Sequence, residues 1–89
     1  MRYRTHADDV LEAVNRGVDE QTIRELGVLY GRLISAEADD HGEGNRVTGQ
    51  EIARDLKLPS GPDDYEVFEI CHLEIRYRLT GHRDREIED

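Results

Sequence analysis

Apolar residues fall at helical spacing through the first two thirds of the chain, and at strict alternation near its end. Val10, Leu11 and Val14 make one apolar face, which predicts a short helix from about Thr5 to Arg16. Thr5 is placed to cap it, with Asp8 three residues on. Gly17 stands where a left-handed cap is expected. Ile23, Leu26, Tyr30, Leu33 and Ile34 predict a longer helix from about Glu20 to Ala38, capped by Asp19. Gly27 and Gly31, four apart, each weaken it by up to ~1 kcal/mol relative to alanine. They also permit close approach of another helix.

A polar stretch, Asp39 to Arg46, holds turn formers and no apolar side chain, so an exposed loop is expected. A third helix is predicted to begin at Thr48, where Thr48-Gly49-Gln50-Glu51 has the form of a capping box. Ile52, Ala53 and Leu56 form its buried side, and the helix should stop before Pro59. Ser60 to Asp64 reads as a turn into a further helix start, carrying Tyr65, Val67, Phe68 and Ile70. From Cys71 to Thr80 apolar and polar residues alternate without exception, the period of a half-buried strand. A short helix to about Ile70 followed by a strand to about Thr80 is therefore expected. The alternative is one unbroken helix from Pro62 to Leu79. Residues 1–4 form an arm or strand, 5–80 the core, and 81–89 a charged tail.

The segment from Val47 to Leu58 resembles the first helix of a helix-turn-helix. Thr48 supplies the capped start, Ala53 the small residue at a close crossing, and Leu58 the apolar residue entering the turn. The order of a long helix, loop, helix, helix and strand is similar to the winged-helix version over about residues 20 to 80. The turn from Pro59 to Asp64 is longer than that pattern uses, and no second wing strand follows. The expected fold class is thus mostly α with a short β element: a helix-turn-helix-like core plus one C-terminal strand. The resemblance implies nucleic-acid binding through the helix after the turn.

Charge argues against that implication. The 89 residues carry a net charge of −9, with 21 acidic and 12 basic side chains. Residues 59–74 hold −5, and the would-be recognition helix presents Asp63, Asp64, Glu66 and Glu69. Reading a major groove needs donors to guanine or amides to adenine, and phosphates need cations. The basic residues sit elsewhere: residues 75–85 carry +3. Arg2 and Arg4 echo Arg76 and Arg78, with Arg83 and Arg85 following, so these six arginines are the candidate partner-binding or nucleic-acid-binding set. Their simpler role is to balance nearby carboxylates. The single lysine, Lys57, against eleven arginines fits GC-rich coding, and the excess acid fits either a high-salt interior or an acidic partner surface.

Composition narrows the chemistry further. A chain of this length buries only ~60–65% of its unfolded surface, so its core is thin. The longest apolar run is three residues, which excludes a membrane partner by way of a spanning segment, and the N-terminus lacks the apolar stretch of a signal peptide. A cytoplasmic setting is the expectation. Cys71 stands alone, so an intrachain disulfide is excluded, and it falls on the apolar side of the alternation. Asp39, His41, Glu43 and Glu51 faintly resemble a calcium-binding EF-hand loop with Gly44 as the bend. Glu51 comes one residue late, and histidine replaces an oxygen ligand. The expectation is no resident metal or cofactor and no catalytic centre. The first functional reading is a regulatory or adaptor module acting by protein–protein binding, with a homodimer as one form. The second is a small, halophilic DNA-binding transcription regulator using the arginine-bearing strand and tail. The third is an acidic inhibitor that imitates nucleic acid.

Overall fold

Thr5 starts the first helix as its spacing from Asp8 suggests. Its Oγ1 accepts from the Asp8 N–H at 3.2 Å, and the Asp8 carboxylate accepts from the Thr5 N–H at 3.0 Å. This reciprocal pair satisfies two donors that an open helix end leaves without partners. The helix, α1, spans His6–Arg16 in a computed structural model that describes residues 5–38, 43–59 and 67–82, residues 43–45 by backbone alone. It ends at Gly17, whose φ of 83° suits a residue without Cβ. The Gly17 N–H donates to Val14 O and the Val18 N–H to Ala13 O, the paired bonds of a Schellman turn.

Helix α2 spans Glu20–Ala38, the bounds read from the sequence, and the Asp19 carboxylate accepts from the Thr22 N–H at 3.2 Å. It buries Leu26, Leu33 and Ala36. Gly27 and Gly31 do not mark a helix crossing among the described residues: a Cβ at either would meet open space.

Helix α3 spans Glu43–Asp55 and corrects the expected start at Thr48. Thr48 lies inside it, so no capping box forms there. Glu51 instead faces Arg32 of α2 across 3.6 Å, while Asp55 accepts from the same arginine at 3.2 Å. The close crossing is at Gly49, where an added Cβ would meet Val67 Cγ1 at 3.0 Å and the Phe68 ring at 3.1 Å. The helix stops as expected before Pro59. Lys57 takes a left-handed φ of 58°, and the Leu58 N–H donates to Ala53 O.

Helix α4 spans Val67–Thr80 and overturns the predicted strand. Among the described residues the fold is four helices with no strand, a bundle-like arrangement, and the expectation of a helix-turn-helix-like core with a C-terminal strand is corrected accordingly. The alternative of one unbroken helix is nearer, although residues 60–66, where it would begin, lie outside the described part. The physical reason is the position of α4. It packs against α1, α2 and α3, so it is covered on several sides and needs no single apolar face. Val67, Cys71, Ile75 and Leu79, at four-residue steps, form its core side. The polar members of the alternation are held by partners: Glu74 by Arg78, Arg76 by Asp9, His72 by Glu37, and Thr80 by the Arg76 carbonyl.

Val67, Cys71, Ile75 and Leu79 meet Ala13, Leu26, Leu33, Ile52, Ala53 and Leu56 in one apolar core. Each fully buried leucine or isoleucine contributes about 1.5–3 kcal/mol relative to exposure. Two arginines tie the helix ends together. Arg78 donates to Leu56 O at the end of α3, and Arg16 donates to Leu79 O at the end of α4, 2.8 Å away. Cations are favourable at such carbonyl-rich termini. No described helix is long and apolar enough to cross a membrane.

Candidate functional site

Helix α1 is seated by its polar side. His6 in the first turn stacks parallel on the Tyr30 ring of α2, with centroids 3.9 Å apart. One turn later the Asp9 carboxylate accepts from Arg76 Nε of α4 at 3.0 Å. Their side chains are only 4% and 14% exposed. Glu12 lies 3.6 Å from His82, and Arg16 reaches the Leu79 carbonyl. Ala13 is the one apolar residue of α1 that is fully enclosed, and its small side chain lets the two helices approach.

The opposite side of α1 is apolar and faces solvent. Leu11 is 62% exposed and Val14 57%, with Ala7 exposed beside them and Val10 half-buried at the edge. At 3.6 residues per turn, the Leu11–Val14 side lies about 150° round the helix from the Asp9–Ala13 side. Of the apolar face of Val10, Leu11 and Val14 read from the sequence, Val10 packs against the core while Leu11 and Val14 point outward. The reason is that α4 offers paired polar groups to α1, and these fit the His6, Asp9, Ala13 and Arg16 side.

Between α1, α2 and α4 lies a cleft of about 360 Å³, lined by Thr5, His6, Asp9, Tyr30, His72, Ile75 and Arg76. The His72 ring meets the Tyr30 edge, with centroids 5.7 Å apart, and His72 Nε2 is 2.6 Å from Glu37 Oε1. Burial pushes the pKa of His6 below its ordinary value; Asp9 opposes this and His72 adds to it. Of these groups only Arg76 was a candidate site residue from the sequence, because His6, Tyr30 and His72 stand far apart in the chain.

Of the six candidate arginines, the structure describes Arg76 and Arg78. Arg76 and Arg78 do not project together from a strand: Arg76 turns to Asp9, while Arg78 turns to Glu74 at 2.8 Å and to the Leu56 carbonyl. Arg2, Arg4, Arg83 and Arg85 lie outside the described residues. Of the acidic set, Glu69 sits exposed in the first turn of α4, and Asp63, Asp64 and Glu66 lie outside the described residues.

The residues that faintly resemble a calcium loop are described only in part. Gly44 is inside α3 and supplies no bend, and Glu51 faces Arg32. Asp39 and His41 lie outside the described residues, as does the side chain of Glu43. Among the described residues no three histidine, cysteine or acidic side chains gather as a metal-binding group. Cys71 is fully enclosed, and its Sγ lies 3.7 Å from the Gly49 carbonyl. Burial, with the Glu37 charge adding to it, pushes its thiol up to about 11. Comparison of the chain with models of protein families, with curated proteins and with solved structures found no match.

Proposed function

We propose that this chain is a non-enzymatic regulatory or adaptor module that binds another protein through the outward side of α1. The observation that carries this reading is the exposure of Leu11 and Val14 on one helix side while Asp9 and Ala13 of the same helix are buried. A thin core gains from every apolar residue it can enclose, and contiguous exposed apolar stripes mark interaction sites. A stripe of Ala7, Leu11 and Val14 suits the apolar face of a partner helix, which would meet it at the same spacing. The non-enzymatic part of the reading is supported by Cys71, the strongest nucleophile type present, being enclosed and held as the thiol.

The test compares the wild-type chain with a Leu11→Ser/Val14→Ser double variant. Both changes fall on exposed positions, so the fold is retained. A protein bound by the wild type and lost from the double variant supports the reading, and equal binding by both refutes it. Sedimentation of the same two proteins reports whether a second copy is the partner. A duplex-shift assay covers the DNA-binding reading, which two held arginines, Arg76 and Arg78, leave with less free cation than the sequence offered.

A further inference from the structure

We propose that the partner is a second copy of the chain: two copies pack their α1–α2 layers together, so that α1 of each lies against α2 of the other. This rests on the reading that α1 binds through its outward side, and it names what covers that side. Three observations carry it. First, the apolar face extends beyond α1. The two helices form an antiparallel pair, joined at one end by Gly17 to Asp19 and held at the other by the His6–Tyr30 stack. At 3.6 residues per turn, Ile34, Gly27 and Gly31 follow Tyr30 round α2 towards solvent by about 40°, 60° and 100°. Ile34 is exposed, as is Val28 farther round. A stable interface takes roughly 800 Å² from each partner. Alone, α1 is about 16 Å long; with the roughly 28 Å of α2 beside it, the face is more than doubled.

Second, the two helices of one chain carry complementary shapes. Leu11 and Val14 project from α1 into solvent, whereas a Cβ at Gly27 or Gly31 of α2 would meet nothing within 4 Å. Counted in opposite directions from the His6–Tyr30 contact, Gly27 is level with Asp9, and so between Ala7 and Leu11. A two-fold axis running along the helices preserves these levels and sets α1 of one copy opposite α2 of the other. Ala7 and Leu11 then straddle Gly27 of the second copy, whose missing side chain lets the two backbones approach. All neighbouring helices in this layer run antiparallel, the arrangement of an up-and-down four-helix bundle with closed two-fold symmetry. Third, the charges at the rim fit this pairing. Asp8 comes level with Val28 of the second copy, between Arg24 and Arg32 one turn to either side. Both arginines have partners in their own chain, Arg24 in Glu20 and Arg32 in Glu51 and Asp55, and both stay exposed enough to share another carboxylate. Packing α1 against α1 would instead set Asp8 against Asp8, and like charges so placed oppose association.

The experiment is sedimentation equilibrium of the full chain from about 1 μM to about 1 mM, with circular dichroism to show that each variant is folded. The wild type is expected to pass from monomer to dimer across that range. Leu11→Ser/Val14→Ser, which removes the projections, and Gly27→Leu, which fills the hollow, are expected to stay monomeric. Gly27→Ala gives two readouts of opposite sign. In the single chain its Cβ meets open space and alanine is the better helix former, so Tm in dilute solution rises. In the dimer the same Cβ obstructs the crossing and weakens association by about tenfold, the scale of overpacking one contact. Should Gly27→Leu fail to fold, Gly27→Ala decides. The proposal is overturned if the wild type stays monomeric throughout, if Gly27→Leu or the serine double variant dimerises as the wild type does, or if Gly27→Ala dimerises at least as tightly. A monomeric wild type that binds another protein through Leu11 and Val14 overturns the second copy and leaves the reading of α1's outward side standing.

Discussion

Replacing Asp9 with alanine removes the carboxylate from one of the most enclosed polar contacts in the molecule. Its side chain is 4% exposed and lies 3.0 Å from Arg76 Nε, which is itself mostly covered. The variant leaves a guanidinium in a site shaped for an ion pair. Breaking a buried pair from one side costs about 3–5 kcal/mol, because the remaining charge is uncompensated. Arg76 retains some exposure and a further contact, which places the expected loss near the lower end, at about 3 kcal/mol. A domain of this length has about 4–13 kcal/mol of stability in all, so the loss is a large share. Urea unfolding followed by circular dichroism measures it. With a slope of about 1–1.5 kcal/mol/M, the midpoint falls by about 2–3 M. An Asp9→Leu/Arg76→Met double variant removes both charges and is expected to recover most of that loss, since apolar replacement of a buried pair is often neutral. A single-variant loss below about 1 kcal/mol, the value of a solvated surface pair, would refute the claim that this contact seats α1. So would a double variant as unstable as the sum of its parts.

Other changes test the packing around the site. Lys57→Gly relieves a left-handed backbone at φ 58° and is expected to stabilise the chain by about 1 kcal/mol, read as a rise of several degrees in Tm. Gly49→Ala gains about 1 kcal/mol of helix propensity but drives a Cβ to 3.0 Å from Val67 Cγ1; overpacking costs about 1–3 kcal/mol, so thermal melting should show no gain or a net loss. Cys71, enclosed and with its thiol pushed up to about 11, is expected to resist a thiol reagent at about pH 8 until urea unfolds the chain.

Local chemistry was legible in the sequence where it acts within one turn. Thr5 with Asp8, Gly17, and Asp19 before α2 fixed both ends of α1 and the start of α2, because each satisfies backbone groups a few residues away. The same logic misled at Thr48-Gly49-Gln50-Glu51. A capping box needs a non-helical residue at its head, and the helix already runs from Glu43. The alternation over residues 71–80 misled for a different reason. A helix packed by three others needs apolar residues on several sides, and a two-residue period can provide them as readily as a helical one. The candidate site was the least legible part. Asp9 and Arg76 are separated by 67 residues, and only the seating of α1 on α4 brings them together. That seating also explains why, of the apolar face of Val10, Leu11 and Val14, only Val10 packs against the core. His6, Asp9, Ala13 and Arg16 share helical spacing too, but that this side of α1 faces the bundle depends on partners in α2 and α4.

The orientation of α1 is tested most directly by thiol labelling of Val14→Cys and Ala13→Cys variants, each in dilute native solution where Cys71 stays covered. The structure predicts that a thiol at position 14 reacts at close to the rate of a free one, and that a thiol at position 13 is protected until the chain unfolds. Protection at position 14 together with rapid labelling at position 13 would show α1 docked by its apolar side, and would contradict both the polar seating of the helix and the binding surface inferred from it.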